Sequence, residues 1–181
     1  MKATEQLRKE HDAVKTVLKA MEKISAQLAA KEKINPPDLE HIVDFLKVFV
    51  DRCHHAKEEN MLFVALAEDP DAAYRISALL TDHAQGRQFI RDMTLDIDKY
   101  KAGHTEVASK LSKDIKNYIT LLIQHMDIED NILFPMADKH LNSQKHTDLL
   151  SQFDRLEEEE IGAGKHEEYH RFIDRLKSTY L

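Results

Sequence analysis

The sequence predicts an all-α protein: an up-down-up-down four-helix bundle over residues 1–140, with two shorter helices appended over 141–181. Three observations predict it. Apolar residues recur at helical spacing through four long stretches, and strong turn signals separate those stretches. The composition, with four Gly, four Pro, no Trp and abundant Leu, Lys, Glu, Asp and Ala, suits helices. At 181 residues the chain has the size of one domain with a real core.

The first helix runs from the start to about residue 31 with Leu7, Val14, Leu18, Met21 and Leu28 along one stripe, and His11 falls on that stripe. Asn35-Pro36-Pro37 stops it and opens a second helix reaching to about Asp69, with Val43, Leu46, Val50, Leu62 and Ala65 as its seam. Steps of four from Val50 reach His54, Glu58 and Leu62, so the histidine and the carboxylate face inward together. Asp69-Pro70-Asp71 opens a third helix, whose buried face holds Ile76, Leu79, Leu80, His83, Ile90, Met93 and Ile97. Gly86, one turn after His83, leaves room for a neighbouring backbone. The chain turns again near Lys101 to His104. A fourth helix then carries Leu111, Ile115, Tyr118, Leu122, Ile132 and Leu133, with His125 and Glu129 on the same face. Pro135 is expected to kink or end it. Beyond residue 140, Leu149, Leu150, Phe153 and Leu156 mark one amphipathic helix, and Tyr169, Phe172, Ile173, Leu176 and Tyr180 mark another. Ile161-Gly162-Ala163-Gly164 is the break between them, and both helices are expected on the outside of the bundle or across one end.

His-x-x-x-Glu recurs in two separate segments, as His54 to Glu58 in HHAKEENMLF and as His125 to Glu129 in HMDIEDNILF. Each copy follows a lone histidine, His11 or His83, by 43 or 42 residues, so one ligand set is written twice. Counted from each turn at ~1.5 Å per residue, His11 and His54 differ in height by roughly one turn or less. Glu58 and His83, and His83 and His125, come out nearly level. In an antiparallel bundle with short loops the six residues gather in one layer near the middle of the core. Four imidazoles and two carboxylates in apolar surroundings are very costly without a cation. They are also a usual ligand complement for two transition-metal ions such as iron. With two histidines on each metal, both carboxylates bridging and an oxo or hydroxo bridge, on the order of two positions out of about twelve stay open. Those positions suit water or a small ligand such as dioxygen, nitric oxide or peroxide.

Composition excludes several classes of partner. The net charge is −7, with acidic residues crowded at Glu157 to Glu160 and no basic stripe, which argues against nucleic acid. The N-terminal MKATEQLRKEHD has no signal-peptide core, and no segment approaches the roughly 20 apolar residues of a membrane span. A cytoplasmic location is the expectation, and the sequence does not report the identity of any protein partner. The single cysteine, Cys53, excludes an internal disulfide framework and reads as a buried helix residue rather than a redox-active thiol.

The segments EHD around His11, HHAKEENMLF, DHAQGR around His83 and HMDIEDNILFP resemble the ligand segments of hemerythrin-like proteins, the group with the HHE cation-binding domain. The tail EEEEIGAGKHEEYH is also similar to that of many members, so the resemblance covers nearly the whole chain. It implies that His11, His54, Glu58, His83, His125 and Glu129 are ligands of a diiron centre bridged by Glu58 and Glu129. It also implies iron over manganese or zinc, a choice that nitrogen and oxygen donors alone do not make. One turn after His83, oxygen-carrying hemerythrins have another histidine and this chain has Arg87. The resemblance therefore implies a more open site, favouring reactive chemistry or sensing over simple oxygen carriage. A ferritin-like diiron protein needs Glu-x-x-His on two helices, and this chain has it once, at Glu167 to His170.

Each residue has a plainer alternative. The six could be core groups satisfied by one another, which leaves the repeat unexplained. His55 and Glu59 form another His-x-x-x-Glu pair one residue out of register. The seam through Val50 and Leu62 favours His54 and Glu58, as do Met126 and Asp130 at the matching places of the second copy. His55 is then expected to line the entrance or fill an open coordination position. Tyr118 reads as core rather than as a redox tyrosine, and His41, His104, His140 and His146 read as solvated. His166 and His170, with Glu167, read as acidic helical surface, with a second metal site or a cap over the first as the alternative.

The leading functional expectation is a nonhaem diiron protein that binds or reacts with dioxygen, peroxide or nitric oxide. In an enzymatic version, the Fe(II)/Fe(III) couple reduces or disproportionates peroxide, or processes nitric oxide, without an organic cofactor. In a binding version, the site stores, senses or delivers oxygen or iron, and the tail helices report its state to a partner. A metal-free helical interaction module is the remaining class.

Overall fold

The computed structural model describes residues 1–162 and 164–181, without the side chain of His166. Among the described residues all regular structure is helical. Helix α1 is Ala3–Ala29, α2 covers 36–66, α3 is Pro70–Lys101, α4 covers 108–140, α5 is Ser143–Glu160 and α6 is Lys165–Tyr180. A short 3₁₀ turn, Thr105–Val107, leads into α4. The turn signals act as caps. The Asp69 carboxylate accepts from the backbone amides of Asp71 and Ala72, and the Asn142 side chain accepts from that of Lys145.

Cross-helix contacts fix the directions. Thr4 reaches Asp138 at 2.6 Å and Ser25 reaches Ser112 at 2.8 Å, so α1 and α4 run antiparallel. Arg87 with Asp51 and Lys101 with Glu40 set α2 against α3, and Lys110 with Asp96 sets α3 against α4. Two apolar clusters fill the bundle. One includes Val14, Val50, Ile90 and Leu122, the other Leu7, Leu62, Leu79 and Leu133. Along α1, α2 and α3 the expected ligand positions fall between the two, and on α4 His125 and Glu129 fall between Leu122 of one and Leu133 of the other, so a polar layer divides the core.

Around that layer the helices change pitch. Segments Leu46–His55 and Glu58–Leu62 of α2, and Glu129–Leu133 of α4, are π-helical, with i→i+5 hydrogen bonds in a wider turn. The wider turn rotates whatever follows. Leu62 is buried as expected, but Ala65, expected on the seam, is exposed, and Phe63 and Leu66 are buried instead. Pro135 does not end its helix, which continues to His140. It stands in the first turn of regained α-helix after the π segment, where a missing donor costs little. Leu80, expected inside, is 40% exposed, whereas its neighbour Leu79 is in the core as expected.

The appended helices reach into both clusters. Leu149 and Phe153 of α5 join the one beside Leu62 and Phe134, and Tyr169, Phe172, Ile173 and Leu176 of α6 join the other. His146, expected in solvent, is buried, and its Nδ1 accepts the first amide of α1, from Ala3, at 3.3 Å. His41, His104 and His140 are exposed as expected. Between α5 and α6, Gly162 and Gly164 adopt φ of 77° and 85°, a left-handed region open to glycine. Ala163, part of the expected break, lies outside the described residues, as does the His166 side chain of the suggested second site. No described helix is long and apolar enough to cross a membrane.

Candidate metal centre

The six sequence-selected residues meet in the polar layer, each at most 2% exposed. Nε2 of His11 and Nε2 of His54 lie 3.0 Å apart, and those of His83 and His125 also lie 3.0 Å apart. Glu58 spans the two pairs, with Oε1 3.3 Å from His54 Nε2 and Oε2 3.5 Å from His83 Nε2. Glu129 closes the other side, its Oε2 being 3.3 Å from His11 Nε2 and 3.2 Å from His125 Nε2.

The opposite edge of each ring decides what these nitrogens carry. His54 Nδ1 is 2.7 Å from Glu10, His11 Nδ1 2.8 Å from Asp130, His83 Nδ1 2.7 Å from Glu59 and His125 Nδ1 3.4 Å from Asp82. A carboxylate accepts, so every Nδ1 donates, and in the neutral rings every Nε2 presents a lone pair. Two lone pairs 3.0 Å apart repel. A cation bound to both at ~2.1 Å, with a right angle between the bonds, would set the nitrogens ~3.0 Å apart. The four oxygens of Glu58 and Glu129 are buried and accept no hydrogen bond from the described residues. Buried carboxylates without donors are among the costliest arrangements in a protein core. The donor set therefore fits two metal ions, with Glu58 in both possible ligand groups.

Electrostatics agree. Burial works against a charged His54, yet the charge of Glu58 and the hydrogen bond to Glu10 hold its pKa up at about 10. His125 is likewise held up at about 10, against burial, chiefly by Glu129. Glu58 is held down at about 2, against burial, chiefly by His54. Without metal, the layer draws in protons to supply positive charge.

Sequence reasoning missed the supporting carboxylates, although a signal was present. Glu10 and Asp82 directly precede the lone histidines, and Glu59 and Asp130 directly follow the motif glutamates. The repeat thus includes the support: the residue before each lone histidine binds the motif histidine, and the residue after each motif glutamate binds a lone histidine. Three of the four carboxylates are held by cations: Glu10 by Lys57 at 2.6 Å, Asp130 by Lys15 at 2.8 Å and Glu59 by Arg87. Lys57 is fully buried and also pairs with Glu157 of α5.

The remaining candidates resolve simply. His55 is buried against His83, joining the layer rather than lining an entrance. Cys53 is buried, and burial pushes its thiol up to about 12, so it stays protonated. Tyr118 is fully buried, packs beside Gly86 and has no hydrogen-bond partner for its hydroxyl among the described residues. At Gly86 it is this ring, not a backbone, that approaches, 3.7 Å from where a Cβ would stand.

The sequence profile described as the hemerythrin HHE cation-binding domain matches residues 2–137. Uncharacterized proteins of Mycobacterium tuberculosis and Mycobacterium bovis are 25% identical over 161 residues, 88% of this chain. The chain spans 63% of the length of those relatives. No solved structure is a significant match.

Proposed function

We propose, from the premise that the chain belongs to the hemerythrin HHE cation-binding domain family, that its buried layer holds two iron ions and binds or reacts with a small ligand. Dioxygen, peroxide and nitric oxide are the ligands this reading takes. The observation that carries it is the set of four donor-less carboxylate oxygens facing four imidazole Nε2 atoms. Iron bound there would supply a one-electron couple and open coordination positions. The chain's own part is to orient the donors. Glu10, Glu59, Asp82 and Asp130 hold a proton on each Nδ1 and so fix the tautomer that offers Nε2 inward. The apolar clusters above and below exclude bulk water.

A second reading, sensing or storage through a partner, is favoured by one contact chain. His54 bonds to Glu10, Glu10 to Lys57, and Lys57 to Glu157 on the appended helix α5, so the state of one histidine reaches the outer layer. Adding oxygen, hydrogen peroxide or nitric oxide to the reduced, iron-loaded protein while recording its visible spectrum separates reaction from binding. Repeated turnover supports an enzyme and a stable, reversible adduct supports binding; protein that takes up no iron overturns both.

A further inference from the structure

We propose that His55 is a fifth imidazole donor, binding the metal ion held by His83 and His125, so that the two metals have unequal protein ligands. This rests on the dinuclear reading above. The ring of His55 is 3% exposed and stacks on His83, centroids 3.8 Å apart and planes 15° apart. It also lies 5.8 Å from the ring of His125, edge on. One ligand atom from each of His55, Glu58, His83 and His125 falls within a 4.8 Å span, as one from each of His11, His54, Glu58 and Glu129 does.

Local backbone explains how it gets there. In a regular α-helix His55 would point about 100° away from His54 and leave the seam. Both residues instead end the π segment Leu46–His55, and both are buried. Arg87 stands one turn after His83 but turns outward, with Nε 2.8 Å from Asp51 and its other end on Glu59. Its guanidinium fills no place at the centre, and a cation could not be a donor there. Asp51 faces His55 Nδ1 at 3.7 Å, on the side where each of the other four histidines meets its carboxylate. That distance is too long for a hydrogen bond, and Nδ1 has no partner among the described residues. The second copy of the motif has Met126 at the matching place, so the additional donor serves one metal only.

The assignment removes one open position from the count for six ligands. It is tested with the full chain loaded with ⁵⁷Fe, by metal analysis and Mössbauer spectroscopy of wild type and His55→Ala. Wild type should give two iron environments. In His55→Ala one should change while the other stays, affinity for one iron should fall by at least about 10-fold, and added imidazole should restore both readouts. Two iron environments unchanged in the variant overturn the assignment while leaving the dinuclear reading intact. Loss of iron that imidazole does not restore also overturns it, because a missing donor is replaceable and a collapsed core is not. Wild type without iron would fail the dinuclear reading itself.

Discussion

Two copies of one ligand set make up this centre, and they are equal in geometry but not in support. In each, the nearest nitrogens stand 3.0 Å apart and the motif histidine leans on the acid that precedes the lone one. The first copy places Lys57 and His55 where the second has Ile128 and Met126. Glu10 is consequently buried, cation-bound and tied to α5 through Lys57, whereas Asp82 is 29% exposed and bonds His125 at 3.4 Å. The duplicated part sets the donor positions; the part that differs sets how rigidly they are held and what else they contact.

The largest effect should ignore this difference. Glu58→Ala and Glu129→Ala each remove a carboxylate that spans both pairs, and each should lower iron from about two per chain to one or fewer by metal analysis. Glu59→Ala should keep two, since Glu59 bonds an outer ring edge and presents no oxygen to the centre. If Glu59→Ala lost iron as Glu58→Ala does, the inner and outer roles would be reversed.

Stability should expose the asymmetry next. Lys57→Ala leaves Glu10 and Glu157 without their shared cation inside the protein and should cost about 3–5 kcal/mol in denaturant unfolding of the metal-free form. Lys15 plays the same part for Asp130 from a side chain 44% exposed, and Lys15→Ala should cost about 1 kcal/mol or less. Similar losses would show that α5 does not seal the first copy.

Protons and metal compete for the same places, which gives a pH signature. His54 and His125 titrate at about 10 in the metal-free fold against an ordinary 6.5, so their contribution is complete below 6.5 and is lost as pH rises through 10. Glu10 and Glu58 sit at about 2 against an ordinary 4.5, so theirs is complete above 4.5 and is lost as pH falls toward 2. Metal-free protein should therefore be most stable between 4.5 and 6.5. The iron-loaded form should have its maximum shifted upward, because binding displaces those protons. Melting curves of both forms across pH check this, and coincident profiles would separate the histidines from the metal.

Most of this architecture could be read from spacing. Histidines and glutamates replacing core residues on each helical stripe gave the layer, and the length of chain on either side of each turn gave its level. What could not be read came from two sources. The π segments widen the turn just where the layer's histidines and glutamates sit, which brings His55 inward and turns Ala65 outward; a fixed helical period describes neither. Burial of His146, Lys57 and one edge of Glu157 depends on α5 lying against α1 and α2, a packing choice that its own amphipathic pattern does not specify. The supporting acids were legible in principle, as Glu10-His11 and Asp82-His83, Glu58-Glu59 and Glu129-Asp130, once the repeat is extended by one residue at each end.

The finest test compares the acids that occupy the same place in the two copies. Glu10→Gln keeps an acceptor for His54 Nδ1 but removes the charge that Lys57 and His54 both neutralise. In a buried site that charge also raises the basicity of Nε2, so iron affinity should fall about 10–100-fold. Asp82→Asn alters a longer, more exposed bond that water can replace, and should lower affinity by less than about 10-fold. Mössbauer spectra of ⁵⁷Fe-loaded protein add the location: the first variant should disturb the iron proposed at His11 and His54, the second the one proposed at His83 and His125. If the two variants changed affinity equally, solvent exposure would not be what distinguishes the halves, and Lys57 would act on folding alone.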